Sequence, residues 1–597
     1  MTRALLPLLA TLAVLSGCAA APTRPDRFAL GDEAAVRRHV ENVIAYEMRQ
    51  SKTPGLSIAL VDDQRVVWAQ GFGYADQANR IPATEKTLYR AGSISKLFTD
   101  IAALQLAEQG RLNIDAPLQI VLPEFSIRQR FDNAAPITPR DLMTHHAGLP
   151  RDVLKGFQTA EPAAFDSLLP ALRDDDAAYP PGQFFSYSNV GVTLLGSAIQ
   201  RVSGEPFADH MKRSVLLPLG MADSSFEQGE SASPLMAVSH HGHDPKPEPP
   251  MRDVPAGGLN TSVADLSRFI SMVFAGGASG DHRLLEAGTV AAMLRPQNSG
   301  VALDLNFQVG LGWMLSTLGR SSLQDAGVVA HHAGAIAGFR SQIYLLPQHR
   351  LGVVVLANSD TAQQAVDHVA TEALAAALEV KTGIRQPTFT RPAPSDRPVP
   401  EATAAALVGD YTTLAGPARV LREGGRLRIE TAGRTFNLIQ RSDGLFAIDY
   451  ALLGFLHIDL GPLADIGLSL RSVSGRDVLV AAVGTQEMLV GERVEPPADL
   501  GAWRGRLGDY TITNLGRDRQ FIDRIRLTEE RGFLLAEMTM TDSPGETGRV
   551  LLMPLSDTEA IFLGALNHAG ETVRVQTIDG EEQLVASGYH ARRVTAR

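Results

Sequence analysis

The chain has 597 residues, 44% of them hydrophobic and 20% charged, which excludes a disordered or fibrous protein. Its formal net charge of -11 argues against a nucleic-acid partner, because such proteins present basic faces. A single cysteine excludes an intrachain disulfide framework and a zinc-thiolate cluster.

The chain opens Met-Thr-Arg and runs apolar from Ala4 to Leu15, the n-region and h-region of a secretory signal and too short for a mature membrane span. It continues Leu15-Ser16-Gly17-Cys18, with the only cysteine last. This resembles the lipobox of bacterial lipoproteins. The resemblance implies a signal peptide over residues 1–17, a lipid on Cys18, and a mature protein anchored at the bacterial cell envelope, periplasmic or at the outer membrane. The competing reading is an ordinary signal cut near Ala19–Ala21, with no lipid. Residues from about Ala19 to Arg27 are small, polar and Pro-containing, so a tether is expected over 18–31.

Apolar residues at helical spacing (Val36, Val40, Val43, Ile44) predict a helix over Ala34–Met48. Leu56–Val61 and Arg65–Gly71 read as a hairpin turning at Asp62-Asp63. A Leu/Ala-rich helix is expected over Lys96–Glu108. Paired strands are expected at Ser341–Leu346 and Leu351–Ala357, and a closing helix at Ala362–Val380. Pro-rich breaks at Pro387–Pro400 and Val494–Leu500 end this mixed α and β part. The expected units are 32–385, a linker 386–402, a β unit 403–493, a linker 494–502 and a second β unit 503–597. Short alternating runs fill both β units, and Gly409-Asp410-Tyr411 recurs as Gly508-Asp509-Tyr510, so a duplicated small barrel or sandwich is expected.

Three stretches carry chemistry. Ser93-Ile94-Ser95-Lys96 opens the Leu/Ala-rich helix, which places a lysine one turn from a serine on one helix face. A serine hydroxyl needs a neighbouring base to act as a nucleophile, and a helix N-terminus favours negative charge developing there. An isolated match of this kind reads as a capping serine and a solvated lysine. Of seven lysines, however, only Lys96 has serine three residues before it. Tyr187-Ser188-Asn189 supplies a phenol that could relay a proton beside a cation such as Lys96; its bland reading is a buried aromatic with Asn189 capping a helix. His332-Ala333-Gly334-Ala335 leads into a strand. Gly334 would let a substrate backbone approach, and the Ala335 N–H could donate to an oxyanion. Its bland reading is a Gly-rich turn with a core histidine.

In this order and separation the three resemble the serine β-lactamase and penicillin-binding-protein superfamily, and within it the class C β-lactamase-like set that includes esterases and D-aminopeptidases. Ile137-Thr138-Pro139-Arg140-Asp141-Leu142-Met143-Thr144-His145-His146-Ala147-Gly148-Leu149-Pro150, Gly257-Gly258-Leu259-Asn260-Thr261-Ser262 and Gly310-Leu311-Gly312-Trp313 agree with that set. The resemblance covers about residues 35–380. It implies an α/β (α+β) β-lactamase-like fold: an antiparallel sheet flanked by helices, with an all-helical subdomain, followed here by two small all-β barrel-like domains. It also implies that Ser93 is acylated, Lys96 activates it, Tyr187 shuttles the proton and Asn189 positions Lys96 and substrate. Ser93 N–H and Ala335 N–H would form the oxyanion hole, with His332 and Gly334 beside substrate.

β-Lactamases and DD-peptidases usually carry Lys-Thr-Gly and then Ser or Thr in the third stretch. A histidine and an alanine here weaken recognition of a substrate carboxylate, with Arg340 the one nearby cation that would compensate. The literal Lys381-Thr382-Gly383 sits at a helix end before the Pro-rich break and reads as a helix stop. His240-His241-Gly242-His243-Asp244 lacks the spacing of a metal site and reads as an exposed Pro-flanked loop. His145-His146 read as fixing a helix-to-loop junction. The expected function is a serine hydrolase that needs no cofactor or metal and acts on a small ester or peptide, peptidoglycan-derived fragments included. The alternatives are a β-lactamase or penicillin-binding DD-peptidase, and a catalytically idle envelope binding protein.

Overall fold

The computed structural model describes residues 21–594, apart from 229–232, 317–322, 388–389, 396, 453–455, 459, 542–546 and 565–567. Cys18 and the signal region lie outside the described residues.

Helix α1 (Glu33–Gln50) starts where Asp32 Oδ1 accepts the Ala35 N–H at 2.9 Å, a carboxylate cap on a helix N-terminus. Strands β1 (Gly55–Asp62) and β2 (Arg65–Asp76) form the expected hairpin, and Asp63 takes a positive φ of 55° at its turn. Strands β3 (Ala330–Ile336), β4 (Phe339–Leu346) and β5 (Leu351–Ala357) return to the same sheet. The order is β3-β4-β5-β1-β2, ending on the two-residue strand Ile81–Pro82, and every pairing is antiparallel.

Strand β5 is apolar throughout, and β1 is apolar apart from Ser57 and Asp62, because both sheet faces are covered there. Leu56, Ile58, Val353 and Val355 pack with α1 and the helix α6 (Gln363–Thr382) on one face. Their neighbours Ala59, Val61, Val354 and Leu356 join the helical core on the other. That core holds α2 (Ser95–Glu108), α3 (Pro139–Thr144), α4 (Asn189–Ser203) and α5 (Val263–Phe274). Between β2 and β3 the chain makes only short strands, so the helices form a layer beside the sheet. α6 ends at Gly383 (φ 81°), and Lys381 Nζ donates to the His349 carbonyl at the opposite sheet face from the cleft helices, as its reading as a helix stop requires.

Two closed β-barrels follow. The first runs from Gly409 to Val494 and closes through pairing of Arg434–Gln440 with Phe446–Leu452. The second contains eight strands from Gly508 to Arg593. Both repeat copies occupy equivalent places. Tyr411 and Tyr510 each donate to the carbonyl four residues earlier, Leu407 at 2.7 Å and Arg506 at 2.6 Å. Each also pairs across the ladder with an arginine of its barrel's last strand, Arg493 and Arg593. The stretches read as linkers are shorter than expected. A helix, Glu401–Leu407, begins inside the first and buries Ala404 and Leu407 in the first barrel. A 3₁₀ segment, Gly501–Arg506, straddles the end of the second and plugs the second barrel with Trp503.

Candidate active site

Ser93 sits in a single 3₁₀ turn, Gly92–Ile94, that leads straight into α2. Gly92 takes φ +54°, and a β-carbon there would stand 2.9 Å from the Ala335 nitrogen, so glycine is required for this turn to lie against β3. Ser95 Oγ ties the turn down by donating to Gly92 O at 2.6 Å and accepting from Leu259 N–H at 2.9 Å.

Lys96 projects from the first turn of α2 and is 1% exposed. Its Nζ donates to Ser93 Oγ at 3.1 Å, Asn189 Oδ1 at 2.7 Å and the Ala256 carbonyl at 2.8 Å. These three oxygens surround the buried amine, and the contacts to Asn189 and Ala256 aim it at the serine. Asn189 is available because Ser188, not Asn189, caps α4: its Oγ accepts the Gly191 N–H at 2.9 Å. The Asn189 amide is in turn held by Asp152 Oδ1 at 2.7 Å.

The Tyr187 ring lies 4.9 Å from Lys96 Nζ, with the Arg151 guanidinium 5.4 Å away and the His145 ring tilted against it at 4.2 Å. His145 is a left-handed C-cap of α3, and its Nδ1 accepts the Ser188 N–H at 3.1 Å. That bond needs an unprotonated Nδ1, which burial secures by holding the imidazole well below its ordinary range, with Lys96 adding to the effect. His145 thus fixes a junction, and the junction carries Tyr187.

Strand β3 is the edge of the sheet. His331 N–H donates outward to Met314 O at 2.8 Å. Strand N–H groups alternate in direction, so the Ala335 N–H points to the same open edge, beside Gly92. The N–H of Ser93, at the head of a helix, supplies a second donor nearby. His332 is buried, its Nδ1 lies 2.7 Å from the Ala333 carbonyl, and its Nε2 has no protein partner. Burial first, and Lys96 second, push it down to about 3, so this imidazole is neutral at physiological pH. At Gly334 the close approach is made by the protein itself: a β-carbon would lie 2.0 Å from the Ala91 carbonyl and 2.1 Å from Ser341 Oγ. Gly334 serves the fit of the Ser93 turn against β3, where a substrate backbone was expected. A Gly334→Ala variant is therefore expected to lose about 1–3 kcal/mol, read as a lower denaturation midpoint together with slower acylation.

The cleft has a volume of about 400 Å³ and is lined by Ser93, Asn189, Ala335 and Arg340. Arg519 and Phe521 of the second barrel complete the wall. Their loop is docked on the catalytic part: Lys155 Nζ and the Gly156 N–H both donate to Asp518 Oδ2, at 2.6 and 2.8 Å, and Arg519 N–H donates to Gln158 O at 2.8 Å. Arg340, Lys246 and Arg519 line the cleft together with the carboxylate Asp360. His240 and His241 belong to a short hairpin with Asp244–Pro245 that is exposed at His241, His243 and Asp244, as expected; His240 departs from that, buried against the Asn358 carbonyl, and His241 Nδ1 meets Asp360 at 2.8 Å. Among the described residues no three histidine, cysteine or carboxylate side chains cluster as metal ligands would.

The turn at Ser93, the α4 start and the β3 edge thus converge from three separate parts of the chain on one cleft. A family model described as Beta-lactamase matches residues 40–378. The chain belongs to the beta-lactamase family. Similar members of this family differ widely in sequence. Protein flp of Staphylococcus aureus (strain MRSA252) is 28% identical over 348 residues, 56% of this chain and 66% of that protein. The chain therefore spans just under two thirds of that relative's length. Penicillin-binding protein 4 of Amycolatopsis lactamdurans is 26% identical over 355 residues, 57% of this chain and 88% of that one. Among solved structures, the octameric penicillin-binding protein homologue from Pyrococcus abyssi aligns with a TM-score of 0.52 and 24% identity, over 76% of this chain and 98% of that one. SurE aligns with a TM-score of 0.55 and 23% identity, over 77% of this chain and 100% of that one. Both likenesses concern the beta-lactamase fold.

Asp152, Ala256, Arg519 and Phe521 carry no signal in the sequence. Asp152 lies two residues beyond the family-like stretch that ends at Pro150, and Ala256 directly precedes the one that begins at Gly257.

Proposed function

We propose that this protein is a serine hydrolase of the class C β-lactamase-like type, forming an acyl-enzyme on Ser93 and cleaving a small ester or peptide amide. The observation that carries this reading is the Lys96 Nζ contact to Ser93 Oγ at 3.1 Å, held in place by Asn189 and Ala256. Ser93 Oγ attacks the carbonyl carbon while its proton passes into the Lys96–Tyr187 pair. The oxyanion forms between the N–H groups of Ser93 and Ala335. The proton returns to the leaving alcohol or amine as its bond to carbon breaks. Water then attacks the acyl carbon through the same groups, releasing the acid and restoring Ser93. Neutral His332, and no hydroxyl at Ala335, favour esters and aminoacyl amides over substrates fixed by a carboxylate at this strand. The test is a substrate panel on the mature protein, with mass-spectrometric mapping of a fluorophosphonate adduct. The adduct is expected on the peptide containing Ser93, and an adduct elsewhere with active hydrolysis would reject the reading.

A second reading, β-lactam or DD-peptide turnover, is favoured by one observation: Arg340, Lys246 and Arg519 line the same cleft, with Lys246 paired to Asp360 at 2.9 Å. Such a rim can hold a substrate carboxylate from the far side of the scissile bond. Arg340→Ala is expected to raise KM several-fold for carboxylate-bearing substrates and to leave neutral esters unchanged. Steady-state kinetics on a matched acid and methyl-ester pair would decide this.

We also propose that Cys18 is lipidated and holds the enzyme at the bacterial envelope, within reach of peptidoglycan-derived peptides. Metabolic labelling with an alkynyl fatty acid should mark the wild type and not Cys18→Ala, and equal labelling of both would refute the anchor.

A further inference from the structure

An eight-stranded barrel is just wide enough to be filled by its own side chains or to hold one small ligand. The second barrel does one at each end. At the end closed by Gly501–Arg506, Trp503 is fully buried with Leu534 and Tyr510, and its indole N–H donates to Ser556 O at 2.9 Å. The end facing the catalytic part is unfilled. A cavity of about 480 Å³ opens there between Ile525, Leu527, Ala536, Leu552, Val573 and Leu584. These belong to the barrel's own apolar core, so the cavity is its lumen. Ala536, and Ala591 on the last strand, present only a methyl group where larger side chains would close the space.

Polar groups gather at the mouth. Asp152, Asp175 and Glu571 stand there with His568, whose Nδ1 is 3.1 Å from Glu571. Burial pushes the Asp175 carboxyl up to about 6, still ionised for the most part at neutral pH. The one arginine on the lining, Arg549, is turned onto Glu530 and Glu537. A volume in the range of small-molecule sites, apolar walls and an acidic mouth define a receptor for a chain without a negative head.

We propose that the lumen of the second barrel binds a single linear acyl or alkyl chain with an uncharged head, separately from the Ser93 cleft. The site does not depend on the hydrolase reading, because none of its walls is Ser93, Lys96 or Tyr187.

The test uses the full mature chain and the neutral fluorophore N-phenyl-1-naphthylamine. Saturable one-site binding is expected, displaced by an uncharged medium-chain monoglyceride and at least tenfold less well by the corresponding free acid at pH 8. Ala536→Phe, and the milder Ala536→Leu, should weaken binding at least tenfold with an unchanged circular dichroism spectrum. Prior fluorophosphonate modification of Ser93 should leave it intact. Independently of any variant, a neutral alkyl diazirine should cross-link within Ile522–Met540. Absence of saturable binding, cross-links confined to the Ser93 cleft, or full binding by both folded Ala536 variants would each overturn the proposal.

Discussion

Lys96→Ala lowers the rate of Ser93 acylation by about 10²- to 10⁴-fold, the usual contribution of a positioned proton-transfer group, and Ser93→Ala abolishes it. The geometry sets the expectation. Lys96 is the buried amine that touches the Ser93 hydroxyl, and Asn189 and Ala256 hold it there. Truncation removes both the proton acceptor and the group that orients Oγ. Lys96→Arg separates these roles. A guanidinium puts a cation at the same place but cannot take up a proton, so it should be nearly as slow as alanine. The measurement is the second-order rate of fluorophosphonate labelling, with circular dichroism as the check on folding. Wild-type labelling by Lys96→Arg would show that charge alone suffices and would remove Lys96 from proton transfer.

The second large effect is on stability. Arg252→Met is expected to destabilise the catalytic part by about 3–5 kcal/mol, the cost of leaving one member of a buried ion pair alone. Asp253 is fully buried and Arg252 is 4% exposed. Arg252 Nε donates to Asp253 at 2.6 Å, and the guanidinium also donates to the carbonyls of Val153 and Lys155 at 2.7 and 2.8 Å. Burial already raises the Asp253 carboxyl above its ordinary value, with Arg252 opposing that rise. Without Arg252 the rise is larger. The folded state then takes up a proton at a higher pH than the unfolded chain does, so stability increases as pH falls and the deficit of the variant narrows in acid. Adding Asp253→Asn should recover part of the loss at neutral pH. Urea denaturation at two pH values measures both effects. A deficit independent of pH would show that the lost carbonyl contacts, and not the stranded carboxylate, set the cost. The pair immediately precedes the Val254–Gly257 turn, whose Ala256 carbonyl holds Lys96, so the variant should also slow acylation.

Ser93 and Lys96 are legible in the sequence because one helical turn brings them together, and no tertiary contact is needed to read it. The sheet is legible for the same reason: β1 and β5 show their burial in their own composition. Asp152, Arg519 and Phe521 are different. Arg519 and Phe521 reach the cleft only by docking of segments hundreds of positions apart, and Asp152 reaches Asn189 by a tertiary contact across 37 positions, so neither leaves a local pattern. Gly334 shows the intermediate case. Its need for a missing side chain could be read, but not the neighbour, Ala91, that imposes it. His240 failed for the converse reason. Flanking prolines suggested an exposed loop, while the Asn358 carbonyl draws the ring into the interior.

The docking of the second barrel has a consequence for biogenesis. A ribosome makes Ser93, Lys96, Tyr187 and Ala335 long before it makes Arg519 and Phe521, the last wall of the cleft. Until Asp518 reaches Lys155 and Ser587 Oγ donates to the Asp152 carbonyl at 2.9 Å, the strut behind Asn189 has no backing. The nucleophile is thus present early and its enclosure late.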